Sequence, residues 1–218
     1  MPWVRRIAGA AAVTVALIWP AEVNADPVPP VGPQARAAGL IDVRSVVPDA
    51  VVDLRYATAD NFVGVPLYPP DARCLVHESL GAGLATAAGV LRKQGLALVF
   101  WDCYRPHAVQ VRMFEAVPDP AWVARPGSYA RSHEAARSVD VTMASGGDLV
   151  DMGTGFDDFS PRATAYATDG IGAGQQANRA MLRTAMAAGG LAVYSGEWWH
   201  FDGPGAGEPR PILDVPLG

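Results

Sequence analysis

The chain has four histidines, and two of them stand at spacings that could support hydrolytic chemistry. His133 is followed seven positions later by Asp140, and His200 is preceded three positions earlier by Glu197. A metal hydrolase needs three protein ligands that leave zinc an open coordination position, with a carboxylate near the bound water but off the metal. His133, Asp140 and His200 supply such ligands, and Glu197 supplies the base. Two neutral imidazoles and one carboxylate leave the dication with net positive charge. That charge can polarise an amide carbonyl and bring water toward a pKa of about 7. The same spacings also fit a surface His and Asp pair, and Trp198 and Trp199 beside His200 also fit an ordinary core.

The elements that must hold these residues can be read from periodicity. The continuous apolar run 96–101 has the length of a buried strand, and Arg105-Pro106 opens a helix through about Ala116 with proline in its first turn. Residues 138–143 form a short strand carrying Asp140, followed by the turn pair Gly146-Gly147. A helix over 175–188 ends at Gly189-Gly190. Two short strands, 191–194 and 198–202, close the chain, the second carrying His200. Upstream, 46–56 reads as extended and 61–72 as a proline-punctuated loop. Residues 75–94 carry Leu80, Leu84, Ala87, Ala88 and Leu91 at helical spacing, although Gly81, Gly83 and Gly89 weaken that helix. No repeat, no regular βαβ alternation and no phosphate-cradling glycine loop is visible, so an α+β domain is expected.

The composition agrees with one folded domain: 218 residues, 50% hydrophobic and 18% charged, with a net charge of −5. A pI near 5.3 gives no electrostatic footprint for nucleic acid and leaves small molecules or proteins as partners. Arg5 and Arg6 precede an apolar run from Ile7 to Trp19, and Val23-Asn24-Ala25 is a small-residue cleavage pattern. Residues 1–25 therefore read as a signal peptide. The run is shorter than the about 20 residues a spanning helix needs, so no stable membrane insertion is expected after cleavage. Export to the periplasm, the cell envelope or the medium follows. Residues 26–39, with Pro27, Pro29, Pro30 and Pro33, read as an extended leader, and 40–218 as the single domain. Cys74 and Cys103 favour a disulfide in an exported chain; two unpaired buried thiols are the other reading.

Longer strings sharpen the picture. Trp101-Asp102-Cys103-Tyr104-Arg105-Pro106, Ser132-His133 with Asp140 downstream, and Glu197-Trp198-Trp199-His200-Phe201 occur in that order. Together with Asn61-Phe62, the segment from Met152 to Asp157, Asp169-Gly170-Ile171 and Gln176-Ala177-Asn178-Arg179, they resemble the zinc D-alanyl-D-alanine dipeptidases over Val52 to Asp202. The resemblance implies the small α+β fold shared by zinc DD-peptidases and the Hedgehog signalling domain, a small antiparallel sheet with flanking helices, and one zinc per chain. It puts the ligands on His133, Asp140 and His200, the catalytic carboxylate on Glu197, and on Arg105 the cation that meets charge developing on the scissile carbonyl. Asp157 becomes a candidate for the substrate ammonium, and Asp102 for orienting Arg105.

The implied substrate is D-Ala-D-Ala or a related D-amino-acid dipeptide from peptidoglycan. A carboxypeptidase or endopeptidase of the same fold acting on stem peptides, and a non-catalytic zinc module, are the alternatives. One departure stands close to the metal: Ala136 occupies the place of the family's usual glycine, in the run Glu134-Ala135-Ala136-Arg137.

Overall fold

The computed structural model describes residues 27–218, so the expected signal peptide lies outside the described residues. In chain order the elements are α1 (Pro33–Ala37), β1 (Leu40–Asp42), β2 (Val51–Val52), β3 (Leu75–His77), α2 (Gly81–Arg92), β4 (Ala97–Asp102) and α3 (His107–Ala116). There follow β5 (Ser138–Ser145), β6 (Asp148–Leu149), α4 (Ala173–Ala188), β7 (Ala192–Val193) and β8 (His200–Asp202). No helix among the described residues is long and apolar enough to cross a membrane.

The main sheet runs β2-β4-β5-β8-β7, with β6 pairing the far end of β5, and β1 and β3 form a separate two-stranded sheet. The expected antiparallel arrangement holds except at one edge, where Val51 and Val52 run parallel to Val99 and Phe100. At the centre, β5 is buried from Ser138 to Ala144. Its period of two puts Ser138, Asp140 and Thr142 on one face, and Val139, Val141 and Met143 on the other. Register then aligns the chemistry: Asp140 lies directly opposite Asp102 of β4 on one side and His200 of β8 on the other.

Helix α2 packs on β4 and against α4. The glycine that weakened α2 in the sequence has a use there. A Cβ on Gly83 would stand 2.2 Å from the Gly189 carbonyl oxygen at the end of α4, so only glycine permits this approach.

Two local expectations change. The leader is not extended throughout, because residues 33–37 form a helical turn with Pro33 in the position that tolerates a missing N–H, and Ala35 is buried. The guanidinium of Arg73 donates to the carbonyls of Pro29 at 2.6 Å and Pro30 at 3.1 Å, tying even the proline stretch to the domain. The helix expected over 75–94 begins only at Gly81. Leu75, Val76 and His77 instead pair with β1, and the His77 ring nitrogen accepts from the Ser79 N–H to start the next turn.

Candidate active site

Four segments of the chain meet to form the site. Strand β4 ends in Asp102 and delivers Arg105 two residues beyond Cys103. A tight helical turn, Ser132–Ala135, presents His133, while β5 contributes Asp140 and β8 contributes His200. The turn into β5 passes through Ala136 in the left-handed region, φ 56° and ψ 27°. Alanine therefore adopts there the conformation glycine takes freely, at a cost of about 1–2 kcal/mol.

His133 Nε2, His200 Nδ1 and Asp140 Oδ1 converge at mutual distances of 3.1, 3.2 and 3.0 Å. Three corners of a tetrahedron with metal–ligand bonds of about 2.0–2.1 Å stand about 3.3 Å apart, so the triangle has the right size for zinc. The outer ring nitrogens are committed elsewhere. His133 Nδ1 lies 2.8 Å from the Cys103 carbonyl and His200 Nε2 lies 3.1 Å from Asp202 Oδ1. Protons assigned to those outer positions leave both inner nitrogens with lone pairs facing one carboxylate oxygen, which only a proton or a cation can reconcile. Burial opposes charge on His200, but the hydrogen bonds to Asp140 and Asp202 raise its pKa to about 10. Burial likewise opposes charge on Asp140, yet His133 and His200 hold its carboxyl well below the usual range. These groups favour a positive charge at the centre of the triangle, and the donor set fits a zinc ion that displaces the proton.

Around the triangle stand the other expected residues. Glu197 Oε2 is 3.9 Å from His200 Nδ1, near the centre but outside the ligand triangle. Burial pushes its carboxyl up to about 7, with His200 opposing and the Asp140 charge adding to the rise. Arg105 donates through Nε at 3.0 Å and Nη2 at 2.7 Å to Asp102 Oδ2, and through Nη1 at 2.8 Å to Gln110. Burial disfavours its charge, but Asp102, Tyr56, Tyr68 and Asp140 together outweigh it and keep the guanidinium cationic. Asp157 sits at φ 55°. It accepts from the Tyr56 hydroxyl, and burial, with the Asp140 charge adding, raises its pKa to about 8. The loop that carries it is braced by Arg179 of α4, which donates to the carbonyls of Met152, Arg162 and Thr164.

His133, Asp140, His200, Glu197, Arg105 and Asp157 line one cavity of about 400 Å³, whereas Asp102 and Arg179 stand behind it. A larger cleft of about 800 Å³ adjoins it across Phe62 and Asp157, but none of the three triangle residues lines it. The other two histidines stand apart from the triangle: His107 pairs with Glu134 at 2.6 Å, and His77 contacts Arg137 at 3.2 Å.

Four participants escaped the sequence reading. Tyr56 contacts Asp157 and lies beneath the Arg105 guanidinium, 5.3 Å from it. Tyr68 donates to Asp102 at 2.7 Å, Gln110 holds Arg105, and Asp202 holds His200. Asp202 had a local signal, since residues two apart in a strand share a face. The tyrosines had none.

A sequence model of the D-ala-D-ala dipeptidase family matches residues 36–217. The chain is 36% identical to the D-alanyl-D-alanine dipeptidase of Escherichia coli (strain K12) over 175 residues, 80% of this chain and 89% of the relative. It is 34% identical to that of Streptomyces coelicolor (strain ATCC BAA-471 / A3(2) / M145) over 185 residues, covering 76% of this chain and 91% of the relative. With that of Enterococcus faecium it shares 30% identity over 185 residues, with the same coverage of 76% and 91%. The α+β fold, the two-histidine, one-aspartate triangle and these matches over most of the chain converge on one assignment: the chain belongs to the D-ala-D-ala dipeptidase family of metallopeptidases.

Proposed function

We propose that the protein is an exported zinc dipeptidase that hydrolyses free D-Ala-D-Ala, or a closely related D-amino-acid dipeptide derived from peptidoglycan. The observation that carries this reading is the convergence in one cavity of the ligand triangle with Glu197, a buried carboxylate outside the triangle, and Arg105, a cation fixed by Asp102 and Gln110. His133, Asp140 and His200 would hold zinc, which when bound would supply the Lewis acid that polarises the scissile carbonyl and acidifies the attacking water. Glu197, 3.9 Å from His200 Nδ1 and outside the triangle, is placed to take the proton from that water and hand it to the leaving amine. Arg105 meets the negative charge growing on the carbonyl oxygen. Its guanidinium is held by Asp102 and Gln110 before substrate arrives, so little reorganisation is needed. Asp157, backed by Tyr56, takes the substrate ammonium.

Export rests on the signal-peptide pattern over residues 1–25, and the bonded Cys74–Cys103 pair fits an oxidising compartment. The test is hydrolysis of free D-Ala-D-Ala and of N-acetyl-D-Ala-D-Ala by the mature protein, with and without chelator. The free dipeptide should be cleaved, the blocked one spared, and chelation should abolish turnover until zinc is restored. Equal cleavage of both peptides would reject the dipeptidase reading in favour of a carboxypeptidase acting on longer stems. A protein that binds zinc tightly and cleaves neither would be a binding module.

A further inference from the structure

The Cys103 backbone touches both halves of the candidate site. Its carbonyl accepts from His133 Nδ1 at 2.8 Å, and its N–H donates to Asp102 Oδ1 at 2.9 Å, the carboxylate whose other oxygen holds Arg105. A rotation of this one residue would turn a metal-binding imidazole and loosen the Arg105 support together. The backbone here is also where regular pairing stops. The β4 to β5 ladder shifts register between Phe100 and Asp102 and ends at Asp102 opposite Asp140. Beyond that point Cys103 has no ladder partner to fix it.

Besides the Arg105 N–H, which donates to the His133 carbonyl at 3.1 Å, what fixes it is a cross-link to the residue just before β3 of the other sheet. Cys103 is bonded to Cys74, 29 residues away, with a Cα separation of 5.2 Å, and both residues are 1% exposed. Cys74 is itself anchored, because its carbonyl accepts from Val43 N–H at 3.0 Å. The next residue, Leu75, accepts from Tyr104 N–H at 2.8 Å. The disulfide and this hydrogen bond therefore clamp residues 103 and 104 onto the start of β3, just behind His133.

We propose that the Cys74–Cys103 disulfide is a positioning element of the metal site: it fixes the carbonyl that orients His133, so that removing it weakens zinc binding beyond any general loss of stability. The physical basis is that the partner on the outer nitrogen of a metal-binding histidine sets its tautomer and ring orientation. Disturbing such partners typically costs 10-fold to 100-fold in metal affinity. This inference rests on the zinc reading above and adds to it a part for two residues that touch neither metal nor substrate.

The test compares the wild-type protein with the double variant Cys74→Ala/Cys103→Ala, in which no free thiol remains to act as a ligand. Zinc affinity is measured by competition with a chromophoric chelator, and ligand geometry by the visible spectrum of the cobalt(II) form, at a temperature where circular dichroism shows each protein folded. Leu182→Ala, a buried truncation in α4, serves as a control for general destabilisation. If the alanine pair does not fold, the larger Cys74→Ser/Cys103→Ser pair takes its place. The expected result is a zinc Kd weakened about 10-fold to 100-fold with an altered cobalt spectrum in the cysteine variant, and affinity within about 2-fold of wild type in Leu182→Ala. Unchanged zinc affinity and cobalt spectrum in the cysteine variant would overturn the proposal, as would an equal loss in the control. A wild-type protein that binds no zinc would overturn the zinc reading itself, and this proposal with it.

Discussion

Asp157→Asn should make the protein more stable as it makes it a poorer dipeptidase. The Asp157 carboxyl is raised to about 8 by burial, against an ordinary 3.8, and among the described residues only the Tyr56 hydroxyl is bonded to it. Between those two values the folded protein holds one proton that the unfolded chain has released. The unfolded state binds fewer protons there, so this group's contribution to stability falls as pH rises, by up to about 1.4 kcal/mol per pH unit. From pH 5 to pH 7 the penalty amounts to about 2–3 kcal/mol. Asparagine keeps the oxygen that accepts from Tyr56 and does not titrate, so it escapes that penalty.

Urea unfolding of the two proteins at pH 5, 6 and 7, in the presence of chelator, reads the difference directly. The advantage of Asp157→Asn should grow with pH, because most other titrating groups are common to both proteins and cancel. In zinc-loaded protein the same sign should persist with a smaller slope, since the cation favours the carboxylate. Kinetically the variant should show a raised KM for free D-Ala-D-Ala and a narrower preference over the N-acetyl form. A stability difference that is flat with pH, or that reverses at pH 7, would refute the idea that this carboxyl is buried at a cost for the sake of an incoming ammonium.

Three further outcomes follow from the site. Glu197→Gln should retain close to one zinc per chain in metal analysis while losing nearly all turnover, because Glu197 stands outside the ligand triangle; loss of the metal would make it a ligand instead. Arg105→Lys keeps the charge but not the planar fork that Asp102 and Gln110 hold, so kcat should fall by about 100-fold, on the scale of losing an oxyanion donor, and a near-normal kcat would leave Arg105 structural. His133→Ala and His200→Ala should each bind zinc far more weakly than wild type by chelator competition, and full retention of metal in both would show the triangle to be wrongly assigned.

The candidate donors were visible in the chain because it has few histidines, but their spacing also fitted a surface pair and an ordinary core, and it was the resemblance over Val52 to Asp202 that favoured a metal site. The strands and helices around them were legible where burial and periodicity coincide, as in the apolar run of β4 and the glycine-terminated α4. Where a segment is short, local pattern loses to tertiary pairing. Residues 75–77 continue a helical spacing, yet they form a strand because β1 and the Cys74–Cys103 bond are there to receive them. The proline stretch before Leu40 shows no pattern at all, and Arg73 orders it from a distance.

The assembly of the site depended on long-range registration, which spacing cannot express. Asp102, Asp140 and His200 are adjacent only because three strands align in one register. Tyr56 reaches Asp157 across 101 residues, and Tyr68 reaches Asp102 across 34. The raised pKa values of Glu197 and Asp157 in the metal-free protein have the same origin. A carboxylate's type is written in the sequence, but its pKa is set by how much water the fold removes and which charges it leaves nearby, and those are decided only when the chain closes around it.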